Sequence, residues 1–268
     1  MTDAQLANQS GNPSGNQSGN QSGNQPPHRQ KLYEGKAKII YATDDLEVLV
    51  TYFKDDATAF NAQKKGQIAD KGIINCKVTT HLYNLLEKKG VATHLLETVS
   101  DREMRVKRVD IIPLEVVVRN IAAGSLCKQT GIPLGTTLEP SLVEFYYKND
   151  ELGDPLLTRD RIAALQITSP DQLDQLITKA QTVNQALSEF FLSCGITLVD
   201  FKLEFGTDAQ GTLLLADEIS PDTCRLWDLA ETDERKRVMD KDRFRQDLGD
   251  VAAGYQTVLA RIVSQLSK

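Results

Sequence analysis

Four charged side chains stand on two neighbouring strand-like runs in the second half of the chain. Asp200, Lys202 and Glu204 alternate with apolar residues in the first run, and Asp217 ends the second run, LLLAD. If Gln210-Gly211 forms a two-residue hairpin loop, Glu204 lies directly opposite Asp217. Opposed carboxylates about 5 Å apart repel each other, and a hard cation such as Mg²⁺ between them removes that repulsion. This register predicts a magnesium site.

A second register is compatible with the same residues. A four-residue loop over 208–211 would place Lys202 opposite Asp217 and give an ordinary ion pair. Both registers leave all four charged side chains on one face, because side chains alternate along a strand. A solvated polar hairpin face would be the simpler explanation. The segment PDTCRLWD, which follows, adds Arg225 and a further acid to the same rim, so we favour a site for a metal ion and a phosphate.

Two lysines near the start of the chain are candidates for binding phosphate. Lys36 and Lys38 lie in the motif GKAK, where alternation places them on one face of an early strand. Lysine ammonium groups suit phosphate oxygens, although a solvated strand face explains this pair more simply when it is taken alone. The sequence contains neither GxxxxGK[ST] nor GxGxxG, so a nucleotide would have to bind without a P-loop or a Rossmann turn.

A third candidate group follows a buried strand at 114–118. Arg119 ends this strand, and Ser125 opens a short predicted helix. Free backbone N–H groups, a hydroxyl and a guanidinium can form a phosphate cradle, while a strand end followed by a helix cap explains this segment equally well. Lys241 and Arg245 are four residues apart at a later predicted helix start, so they share a face and could reach a second phosphate.

The hydrophobic pattern predicts the elements that would position these groups. Strands are predicted over KLYEGKAKIIYAT, LEVLVTYFKDD, THLLETVS, EMRVKRVD and PLEVVVRN, in addition to the hairpin. Helices are predicted over 72–89, from the Ser169 cap to Gly195, and as one C-terminal helix that starts near Asp240. This order indicates an α+β fold with two lobes and a cleft between them. We expect an antiparallel-sheet N-terminal lobe at 31–112 and a mixed C-terminal lobe with flanking helices at 113–268.

Composition limits the classes of protein that need to be considered. Residues 1–30 contain an Asn/Gln/Ser/Gly repeat with little to bury, so we expect a disordered leader. A net charge of −6 argues against a general nucleic-acid binder, and no apolar run approaches the roughly 18 residues of a membrane span. The four cysteines are scattered without a CxxC pair, and the chain starts with no signal-peptide pattern. We therefore expect a cytoplasmic protein.

Seven short motifs occur in order along the chain. They are GKAK, DDATAFN, KGIIN, VVVRNIAAGS, LVDFKLEFG, DEISPDTCRLWD and DKDRFRQDLG. Together they closely resemble the SAICAR synthetase family, over everything except the leader. The resemblance implies a kinase- or ATP-grasp-like cleft and an ATP-dependent ligase. Its reaction would condense carboxyaminoimidazole ribonucleotide (CAIR) with L-aspartate to SAICAR, ADP and phosphate in de novo purine biosynthesis, by way of an acyl phosphate.

The resemblance also implies a role for each candidate residue. Lys36 and Lys38 would bind ATP, and Mg²⁺ would be held by Glu204 and Asp217. The ribonucleotide would be bound by a group of five residues, namely Arg119, Ser125, Arg225, Lys241 and Arg245. Asp200 and Lys202 would be catalytic. The expected partners are CAIR, L-aspartate and a second copy of the chain in a homodimer, with no nucleic acid and no membrane.

Two other functions share parts of this pattern. A kinase-like phosphotransferase would use the same hairpin and the same lysine-bearing sheet without requiring aspartate. A non-catalytic nucleotide sensor would not need Asp200 and Lys202 beside the metal-binding pair. The residues that bind L-aspartate are not identified by the sequence.

Overall fold

An antiparallel sheet of five strands occupies the first part of the chain, in the order β1-β2-β3-β7-β6. The computed structural model describes residues 29–59 and 63–268. The five strands are β1 (Lys31–Glu34), β2 (Lys38–Ala42), β3 (Val48–Phe53), β6 (Leu95–Ser100) and β7 (Glu103–Lys107). The aromatic and β-branched residues of β3, VLVTYF, favour an extended backbone and bury one face of this sheet. All but the last two residues of the predicted leader lie outside the described residues.

The first predicted strand is in fact a hairpin. The prediction of one strand over 31–43 is wrong because the chain reverses between β1 and β2, where the Gly35 N–H donates to the Lys38 carbonyl at 2.8 Å. Lys36 therefore lies in the turn, while Lys38 begins β2. The two lysines do not share one strand face.

A second, six-stranded sheet follows. Its main path runs β10-β9-β8-β11-β12, and β13 also pairs with β11. Its strands are β8 (Asp110–Ile121), β9 (Thr137–Tyr147), β10 (Leu156–Leu157), β11 (Ile196–Thr207), β12 (Leu213–Ala216) and β13 (Cys224–Asp228). A separate two-stranded ribbon is formed by β4 (Asp56–Ala59) and β5 (Lys64–Gln67). Strand β11 is central because β8 pairs along one edge, while β12 and β13 share the other.

The β11–β12 hairpin adopts neither of the two predicted registers. Thr207 pairs with Leu213, and the Asp208 N–H donates to the Thr212 carbonyl at 3.1 Å. The loop therefore has three residues and ends at Gly211, whose φ is +78°. Three-residue hairpins commonly end with a residue in the left-handed region, which glycine adopts at little cost. The predictions missed this register because they counted loop residues without including a left-handed third position.

Six α-helices occur within residues 29–59 and 63–268. They are α1 (Lys71–Lys88), α2 (Ser125–Thr130), α3 (Arg159–Ala164), α4 (Pro170–Ser193), α5 (Asp242–Arg245) and α6 (Val251–Leu266). The predicted N-cap of α4 is confirmed, because the Ser169 hydroxyl accepts a hydrogen bond from the Gln172 N–H at 3.1 Å. The predicted helix over 72–89 is α1, and the short predicted helix at Ser125 is α2.

The prediction of one continuous C-terminal helix from about Asp240 is wrong. The backbone has positive φ angles at Asp247, Gly249 and Asp250, which are 53°, 75° and 45°. Left-handed residues interrupt helical hydrogen bonding, so α5 ends after one turn and α6 starts separately. This break leaves α5 free to face the cleft while α6 packs in the core through Tyr255.

One hydrophobic core runs through both sheets and the long helices. It includes Phe53 and Val106 from the first sheet, Phe201 from the second, and Leu82 from α1. Antiparallel sheets with flanking helices confirm the predicted α+β class. The first sheet ends at Lys107, five residues before the predicted boundary at 112/113, but the division into two lobes stays a prediction. No helix in the described ranges is long and apolar enough to cross a membrane.

The three-residue loop predicts a specific cost for replacing its glycine. We expect Gly211→Ala to lower the free energy of unfolding by about 1 kcal/mol, because a Cβ disfavours the left-handed backbone. No atom lies within 4 Å of that Cβ position, so no steric clash adds to the cost. Urea unfolding measures the difference.

Two controls isolate this backbone effect. Gly211→Asn should cost less than Gly211→Ala, because asparagine tolerates the left-handed region. Gln210→Ala, at the exposed neighbouring position, should leave stability unchanged. Equal stability of the wild type and Gly211→Ala would contradict the loop geometry.

Candidate active site

A cavity of about 1260 Å³ lies between the two sheets. Its walls include β2 and β3 from the first sheet, β8 and β11 from the second, and the segment around α5. Ten of the eleven candidate residues line it directly: Lys36, Lys38, Arg119, Asp200, Lys202, Glu204, Asp217, Arg225, Lys241 and Arg245. The eleventh, Ser125, is connected to it through Arg119. The structure thus brings together residues that are widely separated in sequence.

Three candidate residues alternate along β11 and face this cavity. Pairing with β8 is unbroken from Asp200, opposite Arg119, to Glu204, opposite Glu115. The side chains at 200, 202 and 204 therefore share one face. The prediction that Asp217 lies opposite Glu204 is wrong, because the observed hairpin register places Ala216 of β12 there; the carboxylate opposite Glu204 is that of Glu115 on β8.

Asp217 reaches the same face by a different route from the one predicted. Since Ala216 lies opposite Glu204, continued alternation would turn the next side chain to the other face. Strand β12 ends at Ala216, and Asp217 has a φ of 63° in the left-handed region. That bend directs its carboxylate to within 3.4 Å of the Lys202 ammonium.

Lys202 is shared by three carboxylates. Its Nζ lies 2.5 Å from Glu204 Oε1, 3.1 Å from Glu115 Oε1 and 3.4 Å from Asp217 Oδ2. Lys38 forms an ion pair with Asp217 and lies 3.2 Å from Glu218 Oε1. Carboxylate oxygens from β8, β11 and the bend after β12 thus converge on the same small volume.

A third lysine, Lys148, also reaches this group of carboxylates. It forms an ion pair with Glu204 from just beyond the end of β9. Four acidic side chains and three ammonium groups therefore meet at one end of the cavity.

These charges determine one another's protonation. Burial alone would lower the pKa of Lys38, but Asp217 and Glu218 outweigh it and raise that pKa. The same competition, with Glu204 as the main opposing charge, raises the pKa of Lys202 well above its ordinary value. Burial would raise the pKa of Asp217, yet the two lysines hold it far below its usual range. The lysines therefore stay ammonium groups, suited to neutralising charge.

Lys36 lies at the mouth of the cavity. Its ammonium is 2.7 Å from Asp150 Oδ1, and both side chains are exposed. This contact joins the turn between β1 and β2 to the segment after β9. Lys36 and Lys38 thus occupy different places, one at the rim and one inside.

Two arginines converge on Asp200 at the other end of the cavity. Asp200 Oδ2 accepts from Arg119 Nη1 at 2.9 Å and from Arg225 Nη1 at 2.6 Å. The contacts follow from strand pairing, because Asp200 lies opposite Arg119 on β8 and opposite Arg225 on β13. Arg119 Nη2 also donates to the Ser125 hydroxyl at 3.2 Å. The predicted cradle of Arg119, Ser125 and Arg225 is therefore a single connected group.

Two residues that the sequence did not single out, Glu144 and Tyr146, accept hydrogen bonds from the Arg119 guanidinium. Arg119 Nε donates to Glu144 Oε2 at 2.7 Å, and Nη2 donates to the Tyr146 hydroxyl at 3.2 Å. Tyr146 in turn donates to Glu144 at 3.1 Å. The only sequence feature that could have identified these two residues is their alternation, which places both on one face of β9. The prediction assigned no function to that strand.

Gly124 fits closely against Arg225. A Cβ at this position would lie 2.4 Å from Arg225 Nη2, and the residue has a φ of 61°. Glycine allows the backbone at the start of α2 to pack directly on the guanidinium. The VVVRNIAAGS motif thus brings its glycine and its arginine to the same cradle.

Lys241 and Arg245 lie together at the α5 end of the cavity, as their spacing predicted. Arg245 Nη1 donates to Asp242 Oδ1 at 2.6 Å, and Arg225 Nε donates to Asp242 Oδ2 at 2.8 Å. Burial is the main reason that the pKa of Lys241 is lowered, although Asp222 partly opposes the shift.

The remaining residues missed by the sequence prediction are acids and one lysine around Lys202. They are Glu115, Glu218 and Lys148. Glu115 interrupts an apolar strand and Glu218 follows Asp217 directly, so both were visible as acids in unusual surroundings. Lys148 lies just beyond the end of β9.

A sequence model of the SAICAR synthetase family matches residues 31–262. The chain belongs to this family. A phosphoribosylaminoimidazole-succinocarboxamide synthase from Acaryochloris marina is 62% identical over 234 residues, which cover 87% of this chain and 96% of the relative. The crystal structure of such a synthase from Ehrlichia chaffeensis has a TM-score of 0.83 at 46% identity, covering 87% of this chain and 98% of that one. A SAICAR synthetase in complex with ADP also has a TM-score of 0.83, at 45% identity, with 87% and 97% covered.

Family membership confirms the enzyme class that the seven motifs implied. SAICAR synthetases are ATP-dependent carbon–nitrogen ligases that condense CAIR with L-aspartate in purine biosynthesis. The predicted α+β fold is also confirmed by the two solved structures. The roles of individual residues, the magnesium ion and the assembly state stay predictions.

The contact between Gly124 and Arg225 predicts a selective defect. We expect Gly124→Ala to raise the KM for the ribonucleotide about tenfold or more, because its Cβ would displace the Arg225 guanidinium. The KM for ATP should change much less, since the lysine–carboxylate group lies at the other end of the cavity. Steady-state kinetics with each substrate varied in turn measures both values.

Gly131→Ala is the matched control for this change. Gly131 ends the same helix with a φ of 76°, and no atom lies within 4 Å of its Cβ position. It should lose stability without a change in either KM. Equal effects of the two substitutions on the ribonucleotide KM would contradict the role of Gly124.

Proposed function

We propose that this chain performs the SAICAR synthetase reaction with its two main ligands at opposite ends of the cavity. ATP phosphates would lie beside Lys38, and the ribonucleotide phosphate would lie at Arg119, Ser125 and Arg225. The observation that carries the proposal is the arrangement along β11, where Asp200 contacts the two arginines and Glu204 contacts the lysines. One rigid strand therefore connects both groups.

The nucleotide end is suited to phosphoryl transfer. Lys38 and Lys202 remain charged, so they can neutralise phosphate oxygens as negative charge moves between donor and acceptor. Lys36, at the rim, would contact ATP after leaving Asp150. The similarity to a SAICAR synthetase in complex with ADP supports a nucleotide in this fold.

The charged groups around Lys202 also fit a magnesium ion. Oxygens of Glu204 and Asp217 already converge on a single cation, the Lys202 ammonium. No group of three or more metal-binding side chains occurs among the described residues, but Mg²⁺ commonly uses only one or two carboxylates together with phosphates and water. Glu204 and Asp217 would hold the ion, which when bound would neutralise the ATP phosphates.

The chemistry explains why ATP is needed. A carboxylate is a poor electrophile, so one carboxylate oxygen of CAIR attacks the γ-phosphorus of ATP and ADP leaves. The aspartate amine then attacks the carbonyl carbon of the acyl phosphate, and inorganic phosphate leaves as the amide forms with loss of a proton. Lys202 would act by charge in both steps rather than as a base, because its raised pKa keeps it protonated.

The ribonucleotide end is arranged before any ligand arrives. Arg119 is held by Asp200, Glu144 and Tyr146, so its position is fixed. Arg225 Nη2 makes no hydrogen bond within the described part of the chain and would be available to a phosphate. Asp200 would contribute to catalysis mainly by orienting both guanidiniums.

The α5 end of the cavity would complete the substrate site. Lys241 and Arg245 carry positive charge next to the two arginines of the cradle. We propose that they contact the ribonucleotide, with L-aspartate entering between them and the reacting carboxylate.

The location and assembly follow as further proposals. All four cysteines lie in the described residues as free thiols, and three of them are buried. Unpaired, scattered thiols are typical of a reducing compartment, so we propose a cytoplasmic enzyme. A homodimer also stays a proposal, to be tested by light scattering on the full chain.

The reaction itself is tested by following ADP release with the carboxylated ribonucleotide. We expect ADP and SAICAR to form together only when L-aspartate is present. Equal ADP formation without aspartate would indicate a phosphotransferase instead. Absence of ADP under both conditions would indicate a nucleotide sensor.

The metal assignment predicts that Glu204→Gln and Asp217→Asn each lower Mg²⁺-dependent turnover by about 100-fold or more. Both changes remove a negative charge while they keep the shape of the side chain. Circular dichroism should show an intact fold. Turnover is measured over a magnesium titration at saturating ATP.

Glu189→Gln provides the control, because Glu189 is an exposed carboxylate on α4. It should have the magnesium response of the wild type. If the variants at 204 and 217 behaved like this control, the two carboxylates would not be metal ligands.

A further inference from the structure

The position of the Asp217 carboxylate depends on an unusual backbone conformation. Asp217 is not glycine, yet its φ of 63° lies in the left-handed region. Without that bend, strand alternation would direct its side chain away from Glu204, because Ala216 occupies the opposite position. Something in the surroundings has to hold the bend in place, since a non-glycine residue adopts it only under constraint.

Two buried side chains outside the proposed catalytic group support this bend. The Tyr83 hydroxyl, on α1, donates to the Ala216 carbonyl at 2.6 Å. The His94 ring packs edge to face against Tyr83, with ring centroids 5.8 Å apart. Tyr83 thus bonds the bend directly, and His94 holds the Tyr83 ring in place.

The backbone around His94 fixes this pair against β12. The His94 N–H donates to the Leu215 carbonyl at 2.9 Å, and the Leu215 N–H donates to the Ala92 carbonyl at 3.0 Å. Tyr83 is fully buried, and His94 is 7% exposed. A buried, doubly bonded support of this kind leaves the bend little freedom to change.

We propose that Tyr83 and His94 are positioning residues that hold the Ala216–Asp217 bend so that the Asp217 carboxylate faces Glu204. This inference rests on the proposed function, in which Glu204 and Asp217 hold the magnesium ion of ATP. Tyr83 does not line the cavity, whereas His94 is part of the cavity wall but lies outside the proposed catalytic group. Their effect would pass through the backbone of residues 216 and 217.

The proposal is tested by ADP binding, which needs no turnover. Calorimetry on the full chain measures ADP affinity over a magnesium titration and also without magnesium. We expect Tyr83→Phe to raise the magnesium concentration for half-maximal ADP binding about tenfold, as loss of a group that orients a metal ligand commonly does. Affinity for ADP without magnesium should not change. A general loss of packing would instead weaken ADP binding both with and without magnesium.

Variants at His94 give a second, independent measurement if Tyr83→Phe does not fold. His94→Leu should shift the magnesium response in the same direction. His94→Phe should restore much of it, because a phenyl ring can still pack edge to face against Tyr83.

Tyr255→Phe is the matched control. Tyr255 is also fully buried, and its hydroxyl donates to Asp222 Oδ1 at 2.6 Å, away from the bend. It should have the magnesium response of the wild type.

Asp217→Asn separates failure of the inference from failure of the proposed function. If Asp217→Asn shifts the magnesium response while Tyr83→Phe and His94→Leu do not, the positioning role is overturned and the metal assignment stands. If Asp217→Asn causes no shift, the metal assignment fails, and the positioning proposal fails with it.

Discussion

The sharing of one partly buried ammonium, that of Lys202, by three carboxylates is the constraint on which the rest of the cavity depends. Glu115, Glu204 and Asp217 come from three different segments, and each lies within 3.4 Å of Lys202 Nζ. Removing Lys202 would take away the one cation that all three share, although Lys38 would still pair with Asp217 and Lys148 with Glu204. The positions of β8, β11 and the bend after β12 are therefore tied to one another by charge as well as by backbone pairing.

Buried ion pairs of this kind seldom add net stability, because the cost of removing charges from water offsets their attraction. Their contribution here is to fix the positions of the charged side chains in the cavity. Lys38 and Lys202 keep Asp217 ionised and the neighbouring carboxylates keep these two lysines protonated, so under the proposed function none of the three needs to change its charge when phosphate binds. Near the other end of this part of β11, Arg119 and Arg225 are likewise held in position by a shared opposite charge, the Asp200 carboxylate.

Sequence patterns identified most of this arrangement, for physical reasons that can be stated. The α+β class, α1 and the cap of α4 follow from local periodicity and capping residues. Glu204 and Asp217 were recognisable as unusual because they are acids within otherwise apolar strands, and this holds in either of the two predicted registers. The register itself was missed, since it depends on a left-handed residue at the end of a three-residue loop.

Non-local contacts set the limit of what the sequence could predict. Glu115 and Glu144 act across strand pairs that no short motif encodes. The separation of Lys36 from Lys38 depends on a turn that strand propensity does not reveal. The break between α5 and α6 could not be predicted for a similar reason. An aspartate can adopt a positive φ, but its side chain does not require one.

The unbroken pairing of β11 with β8 from Asp200 to Glu204 has one more consequence. Four residues of extended backbone span about 13 Å, at a rise of about 3.3 Å per residue. The strand therefore fixes the distance between the arginine pair and the lysine–carboxylate group. Insertion or loss of one residue would change that length and also reverse every side chain beyond it. Under the proposed function, substrates can vary in shape only to the extent that their phosphates match this fixed spacing.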